Sequence, residues 1–236
     1  MNFSHPTLKG KIIKRYKRFL ADINLPNGEQ ITAHTANTGS MKTCWEPGWT
    51  VLLTDSGNRE RKYPHSLELI HNGKSWIGVN TSIANKLVVE AIQNQVITEL
   101  TGYQNILTEV TTGDSRIDIK LTNHHEKKTP DIFVEVKNVT LLGANETACF
   151  PDSESTRGQK HLSELISLKK QGFRAAIFYV IQRNDVKKFQ PAFEIDPAYA
   201  DLFSLAIEAG VEVLCYECNL SEQGVRVSKK IPLLWP

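Results

Sequence analysis

The chain has little that ties it to an oxidising compartment or a bilayer. Its four cysteines, Cys44, Cys149, Cys215 and Cys218, are too few for a disulfide framework in 236 residues. No apolar run approaches the ~20 residues of a membrane-spanning helix. The opening MNFSHPTLKGKIIKRYKRF is basic throughout and lacks the apolar and small-residue blocks of a secretory leader. Repeats and low-complexity tracts are missing, and no helical periodicity precedes residue 81. A disulfide scaffold, a helical membrane protein and a solenoid are thereby excluded. A cytoplasmic globular protein with no membrane partner is the expectation.

Cys215-x-x-Cys218 has the spacing of a metal-ligand or redox pair, but no second pair or nearby histidines complete a zinc site. The surrounding VEVLCYEC reads as a strand, which sends the two thiols to opposite faces. Reduced core cysteines are expected.

Apolar content of 40% and charged content of 23% are ordinary for a globular protein with a real core. The net charge of +2 conceals an asymmetry. Residues 1–80 hold 11 basic and 6 acidic side chains, and the remainder 17 and 20. A basic first third points to a polyanionic partner.

Short alternating segments at 19–25, 30–36, 50–54, 66–70 and 76–79 are separated by turns such as Pro26-Asn27-Gly28 and Glu46-Pro47-Gly48. About five strands in that length fit a small barrel such as an OB-fold. The pattern then changes. Leu87, Val88, Ala91, Ile92 and Val96 share a helical face after the capping-rich Asn80-Thr81-Ser82. Strands near 105–111, 115–121 and 132–139, a helix from Thr156, a strand over 174–182, a helix over 197–209 and a last strand over 211–217 complete an α/β order. The expectation is an OB-like β domain over 1–80 and an α/β domain over 81–236.

The chemistry concentrates in SRIDIKLTNHHEKKTPDIFVEVKNVTL, residues 115–141. Alternation puts Ile117, Ile119 and Leu121 on one strand face and Asp118 on the other. In the next run Ile132, Val134 and Val136 share a face, with Glu135 and Lys137 opposite. Asp131 lies on Glu135's face, but four residues of strand put it ~13 Å away, beyond a magnesium ion with ligands at ~2.1 Å. Asp118, across or diagonal on the adjacent strand, falls at ~5–7 Å. Asp118 and Glu135 are therefore the candidate ligands of Mg²⁺ or Mn²⁺, with Lys137 beside them to orient a water or offset transition-state charge. That set suits phosphodiester hydrolysis. The bland alternative is a buried or edge-strand salt bridge, Glu135–Lys137 with Arg116–Asp118.

Several blocks resemble the sugar fermentation stimulation protein A family: Asn37-Thr38-Gly39-Ser40-Met41 with Pro47-Gly48, and Val79-Asn80-Thr81-Ser82. So do Ser115-Arg116-Ile117-Asp118, Val134 through Leu141, Phe150-Pro151-Asp152, and Arg157-Gly158-x-x-His161-Leu162-x-x-Leu165. The resemblance spans essentially the whole chain. It implies an OB-like domain followed by a restriction-endonuclease-like PD-(D/E)XK domain, with the motif on Asp118, Glu135 and Lys137. Ile117 stands where the motif's name has proline. It also implies DNA binding and a regulatory link to maltose and sugar metabolism.

Further contacts to DNA are expected from several places. Arg157 and His161 lie one turn apart on a helix, where they meet phosphate or Arg157 pairs with Asp152 or Glu154. Gln182 ends a buried strand, where α/β sites tend to open. Lys14, Arg15, Lys17 and Arg18, interleaved with Tyr16 and Phe19, suit backbone tracking, with Arg116 adding to the same partner. Phe19 is expected in the core. Two function readings follow: a metal-dependent nuclease, or a non-cleaving, sequence-non-specific DNA-binding regulator. A homo-oligomer is compatible with either.

Overall fold

In the computed structural model, which describes residues 1–112 and 115–235, the first third folds as six strands. They are β1 (Thr7–Tyr16), β2 (Leu20–Asn24), β3 (Gln30–His34), β4 (Thr50–Asp55), β5 (His65–His71) and β6 (Trp76–Gly78). The β2–β3 and β5–β6 turns place Gly28 and Gly73 at φ 87° and 92°, a region that glycine enters without steric cost. The strand order β3-β2-β1-β4-β5 is closed by a parallel contact of β3 with β5 at His34–Ser66. The result is a five-strand OB barrel around Ile12, Ile23, Met41, Val51, Leu53 and Leu67, with β6 extending from β5. The alternating segments did not include β1, which takes the place in the barrel that the 76–79 segment was expected to fill. Lys17 and Arg18 form the β1–β2 turn at φ 49° and 65°, and Phe19, expected in the core, is 40% exposed.

A 3-10 turn at Thr81–Ile83, whose Ser82 N–H is capped by the Asn80 side chain, leads into α1 (Ala84–Gln93). Then come β7 (Tyr103–Thr112), β8 (Ser115–His124), β9 (Ile132–Val139), β10 (Leu141–Leu142) and β11 (Thr147–Phe150). The remainder is α2 (Thr156–Lys170), β12 (Arg174–Ile181), β13 (Lys188–Pro191), α3 (Pro197–Glu208), β14 (Glu212–Ser221) and β15 (Gly224–Lys230). Six strands order as β15-β14-β12-β9-β8-β7, parallel across β9, β12 and β14 and antiparallel elsewhere. The apolar run RAAIFYVI is β12, buried on both faces as a central parallel strand must be. α1 covers one face of the sheet, and α2 with α3 covers the other.

Two expectations need correction. The chain does not end its sheet at β14, because β15 pairs back on it. Only Val225 and Val227 of that edge strand are clearly apolar and inward, and its Arg and Lys residues hide the pattern. Ile117 does not share a face with Ile119 and Leu121. It packs in the layer under α2, whereas they pack under α1. Cys215 and Cys218 lie in opposite layers, buried and unpaired, as the strand reading required.

Beside the two large sheets, β10, β11 and β13 form a small third one, and the barrel meets the second domain at polar contacts around one arginine. Arg183 is wholly buried; its Nε and Nη2 donate to Asp185 at 2.6 and 2.8 Å, and its Nη1 to the Thr140 carbonyl at 2.7 Å. Asn72, beyond β5, donates to the same Asp185 at 2.8 Å. On the other flank the Ser40 N–H and hydroxyl donate to Asp152 Oδ2 at 2.9 and 3.0 Å. A Cβ on Gly39 would stand 2.7 Å from that oxygen, so this approach requires glycine.

At the far end Glu99 accepts from Tyr216 Oη and Lys230 Nζ, both at 2.6 Å. Burial pushes its carboxyl up, but the bonds from Lys230 and Tyr216 outweigh this and hold it at about 2 against an ordinary 4.5. A depressed carboxyl stabilises the fold above its unfolded value and loses that contribution as the pH falls towards 2. Glu99→Gln is therefore expected to lower stability at pH 7 by about 1 kcal/mol after solvent screening. The difference from the parent should vanish near pH 2 in urea titrations.

Candidate functional site

β8 and β9 pair in the register Ile119–Val134, Lys120–Phe133 and Leu121–Ile132. One further step would set Asp118 opposite Glu135, but the ladder stops there. Asp118 Oδ2 instead accepts the Val136 N–H at 2.8 Å. On its other side the β7–β8 register skips Glu109–Asp118, and Glu109 sits at φ 55°. This double interruption is a local irregularity of the kind that re-aims strand side chains. It turns the Asp118 carboxylate towards β9 and moves Ile117 to the other layer.

The other Asp118 oxygen accepts the Asn85 amide from the first turn of α1 at 2.8 Å. Sequence reasoning missed Asn85. It lies far from Asp118 along the chain, and only the docking of α1 over the sheet brings the two together.

Glu135 is 1% exposed at the middle of β9. Its Oε1 accepts from Lys137 Nζ at 2.7 Å and touches His161 Nδ1. Lys137 Nζ lies 2.8 Å from the same His161 nitrogen. His161 reaches this point from α2, whose first turn is capped by Ser155 accepting the Gly158 N–H. Arg157, one turn earlier and exposed, places its Nε 3.5 Å from His161 Nε2.

The two carboxylates respond oppositely. Burial and then the negative charge of Glu135 push Asp118 up. Burial also raises Glu135, but His161 and Lys137 together bring it below the usual carboxylate range. Glu135 Oε2 is buried without a protein partner. A buried carboxylate oxygen left without a partner is open to an ion or a water.

Among the described residues no group of three or more His, Cys, Asp and Glu side chains forms a metal cage. Magnesium is commonly held by only one or two protein carboxylates, with waters and a substrate phosphate completing its shell. Asp118 and Glu135 fit that demand.

The remaining expected residues are dispersed. Arg116 pairs outward with Glu109 at 2.6 Å. Gln182 is wholly buried, donating to Asn138 Oδ1 and, at 3.4 Å, to the Asn80 carbonyl, where no phosphate reaches it. In the barrel Arg15 donates to the Asn37 and Gly39 carbonyls at 3.0 Å, and Arg18 to the Thr38 carbonyl at 3.1 Å. Lys14 pairs weakly with Asp22 at 3.4 Å, and Lys17 is exposed. Arg15 thus braces the 37–39 loop, while Lys14, Lys17 and Arg18 stay at the surface.

The family model described as the sugar fermentation stimulation protein RE domain matches residues 82–224. The SfsA N-terminal OB domain matches residues 13–79. The chain belongs to the sugar fermentation stimulation protein family. A homolog from Shewanella frigidimarina is 49% identical, covering 95% of each chain. One from Pseudoalteromonas atlantica is 43% identical over 99% of this chain and 100% of its own. The solved structure of Pyrococcus furiosus SfsA in complex with Ca²⁺ superimposes with a TM-score of 0.87 at 28% identity. That likeness covers 100% of this chain and 98% of that one. No helix among the described residues of this family member is long and apolar enough to cross a membrane.

Proposed function

We propose that this protein is a divalent-metal-dependent DNA nuclease. The observation that carries the reading is the unpartnered, buried Oε2 of Glu135 beside the re-aimed Asp118, with Lys137 on the same carboxylate. Bound Mg²⁺ or Mn²⁺ would supply Lewis acidity at a phosphoryl oxygen and a more acidic water. Asp118, fixed by Asn85 and Val136 N–H, and Glu135, fixed by His161 and Lys137, would hold that ion. The Lys137 ammonium stands where it orients a water and offsets charge developing on the phosphate. Arg157 at the rim offers a cation to the flanking phosphate. The Pyrococcus furiosus relative was solved with Ca²⁺, a hard, oxygen-seeking cation of the same class.

The test is incubation with single- and double-stranded DNA in Mg²⁺ or Mn²⁺, with EDTA as control. Metal-dependent cleavage is expected. Binding without cleavage on every substrate would replace the nuclease with the DNA-binding regulator, whose link to sugar use stands in the relatives' names.

Phosphate contact by the β1–β2 turn gives a separate prediction. Arg15 is half-buried and bonds the loop carbonyls, so the exposed Lys14, Lys17 and Arg18, the last bonded to Thr38 through Nε, are the available cations. Changing these three to Ala should make the log–log salt dependence of duplex binding shallower by about 2. An unchanged slope in the folded variant moves the contact surface to Arg116 and Arg157.

A further inference from the structure

A groove of about 660 Å³ runs between α1 and β7. Ser82, Asn85 and Gln93 line it from the helix side, Thr108 and Glu109 from the strand side, and Val89 packs between them and the core. Its size lies in the range of small-ligand sites, ~300–1,000 Å³. Its chemistry differs from that of the rest of the site. Lys86 is its one cation, and its two acids are already paired, Glu90 with the N-terminal ammonium and Glu109 with Arg116, so a single lysine rather than a cluster of charges faces it. What it presents instead are neutral amides and hydroxyls around an apolar valine. Such groups pair with the donor and acceptor edges of a nucleobase.

Asn85 joins this groove to the carboxylate pair. Its Nδ2 lies 2.8 Å from Asp118 Oδ1 and 3.4 Å from Glu109 Oε1, and it is a wall of both spaces. Arg116 takes the Glu109 carboxylate at 2.6 Å, which offsets the acid's charge at the groove. A phosphate seated at Asp118 and Glu135 leaves its attached nucleoside next to Asn85. The recess borders β7, the edge strand of its sheet, and has room for a base that has left its stack.

We infer that this groove seats the unpaired base of the nucleotide beside the scissile phosphate, with Gln93 and Thr108 contacting its edge, and that the substrate is single-stranded or locally unpaired DNA. The inference rests on the nuclease reading above and adds a substrate class and specificity residues to it.

The experiment compares two single-stranded oligonucleotides of equal length in Ca²⁺ by fluorescence anisotropy. One carries its bases and the other has abasic tetrahydrofuran residues throughout. The base-bearing strand should bind about tenfold tighter, the worth of one bidentate base-edge contact. Val89→Trp, which fills the groove, should erase the difference and leave the abasic Kd unchanged. Gln93 and Thr108 are exposed, so the Gln93→Ala/Thr108→Ala double variant gives a second route that spares the core, and it should shrink the difference likewise. Equal binding of both strands by the parent protein, or full discrimination surviving in both variants, overturns the inference. Cleavage without base discrimination removes this inference alone. Failure to bind either strand while duplex DNA is bound or cut also removes this inference alone, and failure on duplex as well removes the nuclease reading with it.

Discussion

Glu135→Gln is expected to abolish divalent-cation binding and to lower DNA cleavage by about 10²–10³-fold or more. The substitution keeps the shape of the side chain but removes the charge that one free oxygen presents to the ion and the other shares with Lys137 and His161. Asp118→Asn should act alike, since its carboxylate is the second ligand and its orientation is fixed by Val136 N–H and Asn85. Titration calorimetry with Mn²⁺ should show one weak site in the parent and none in either variant. If one variant binds Mn²⁺ like the parent, the carboxylates do not share an ion. If cleavage survives Glu135→Gln, the chemistry lies elsewhere.

The largest effect on stability is expected at Arg183. Its guanidinium is 0% exposed and donates to Asp185 through two nitrogens and to the Thr140 carbonyl through the third. Arg183→Met keeps the stem's packing but strands the Asp185 carboxylate, which burial raises and Arg183 holds below its ordinary value. Breaking a buried pair by removing one partner costs about 3–5 kcal/mol. For a chain of this size that is a fall in Tm of about 10 °C. Adding Asp185→Asn should restore part of the loss, because the two residues act as one unit. A Tm within 2–3 °C of the parent, on the scale of about 1 kcal/mol, would show that the domains are held by their apolar contacts instead.

How far the sequence carried the site is clearest on β8 and β9, the two strands that bear the carboxylates. Alternation placed Glu135 and Lys137 together, because residues two apart on a strand share a face whatever surrounds them. It also singled out Asp118 over Asp131 by distance, and Asp131 in fact pairs with Lys120 at 3.2 Å. Alternation assumes an unbroken strand, however. At Asp118 the ladder breaks on both sides, so the same rule misassigned Ile117 and could not foresee that Asp118 would accept the Val136 N–H. His161 was expected at phosphate, and the docking of α2 instead sets it against Glu135 and Lys137.

The barrel shows the same division. Short alternating runs between Gly- and Pro-containing turns identify an OB-like domain because each strand buries one face locally. Which strand closes on which depends on contacts far apart in the chain, such as β3 with β5. The basic cluster 14–18 was visible as composition. Only the folded turn separates Arg15, committed to the loop carbonyls, from Lys17, which faces solvent.

Periodicity and turn chemistry are properties of neighbours along the chain, and they determined the element types, the two fold classes and the E-x-K pair by themselves. The tertiary structure decided what depends on helices docking over a sheet and on where a strand bends. Asn85 on Asp118, His161 on Glu135, the burial of Gln182 and Arg183, and the groove beside α1 belong to that second class. Each joins residues whose separation along the chain carries no information about their distance in space.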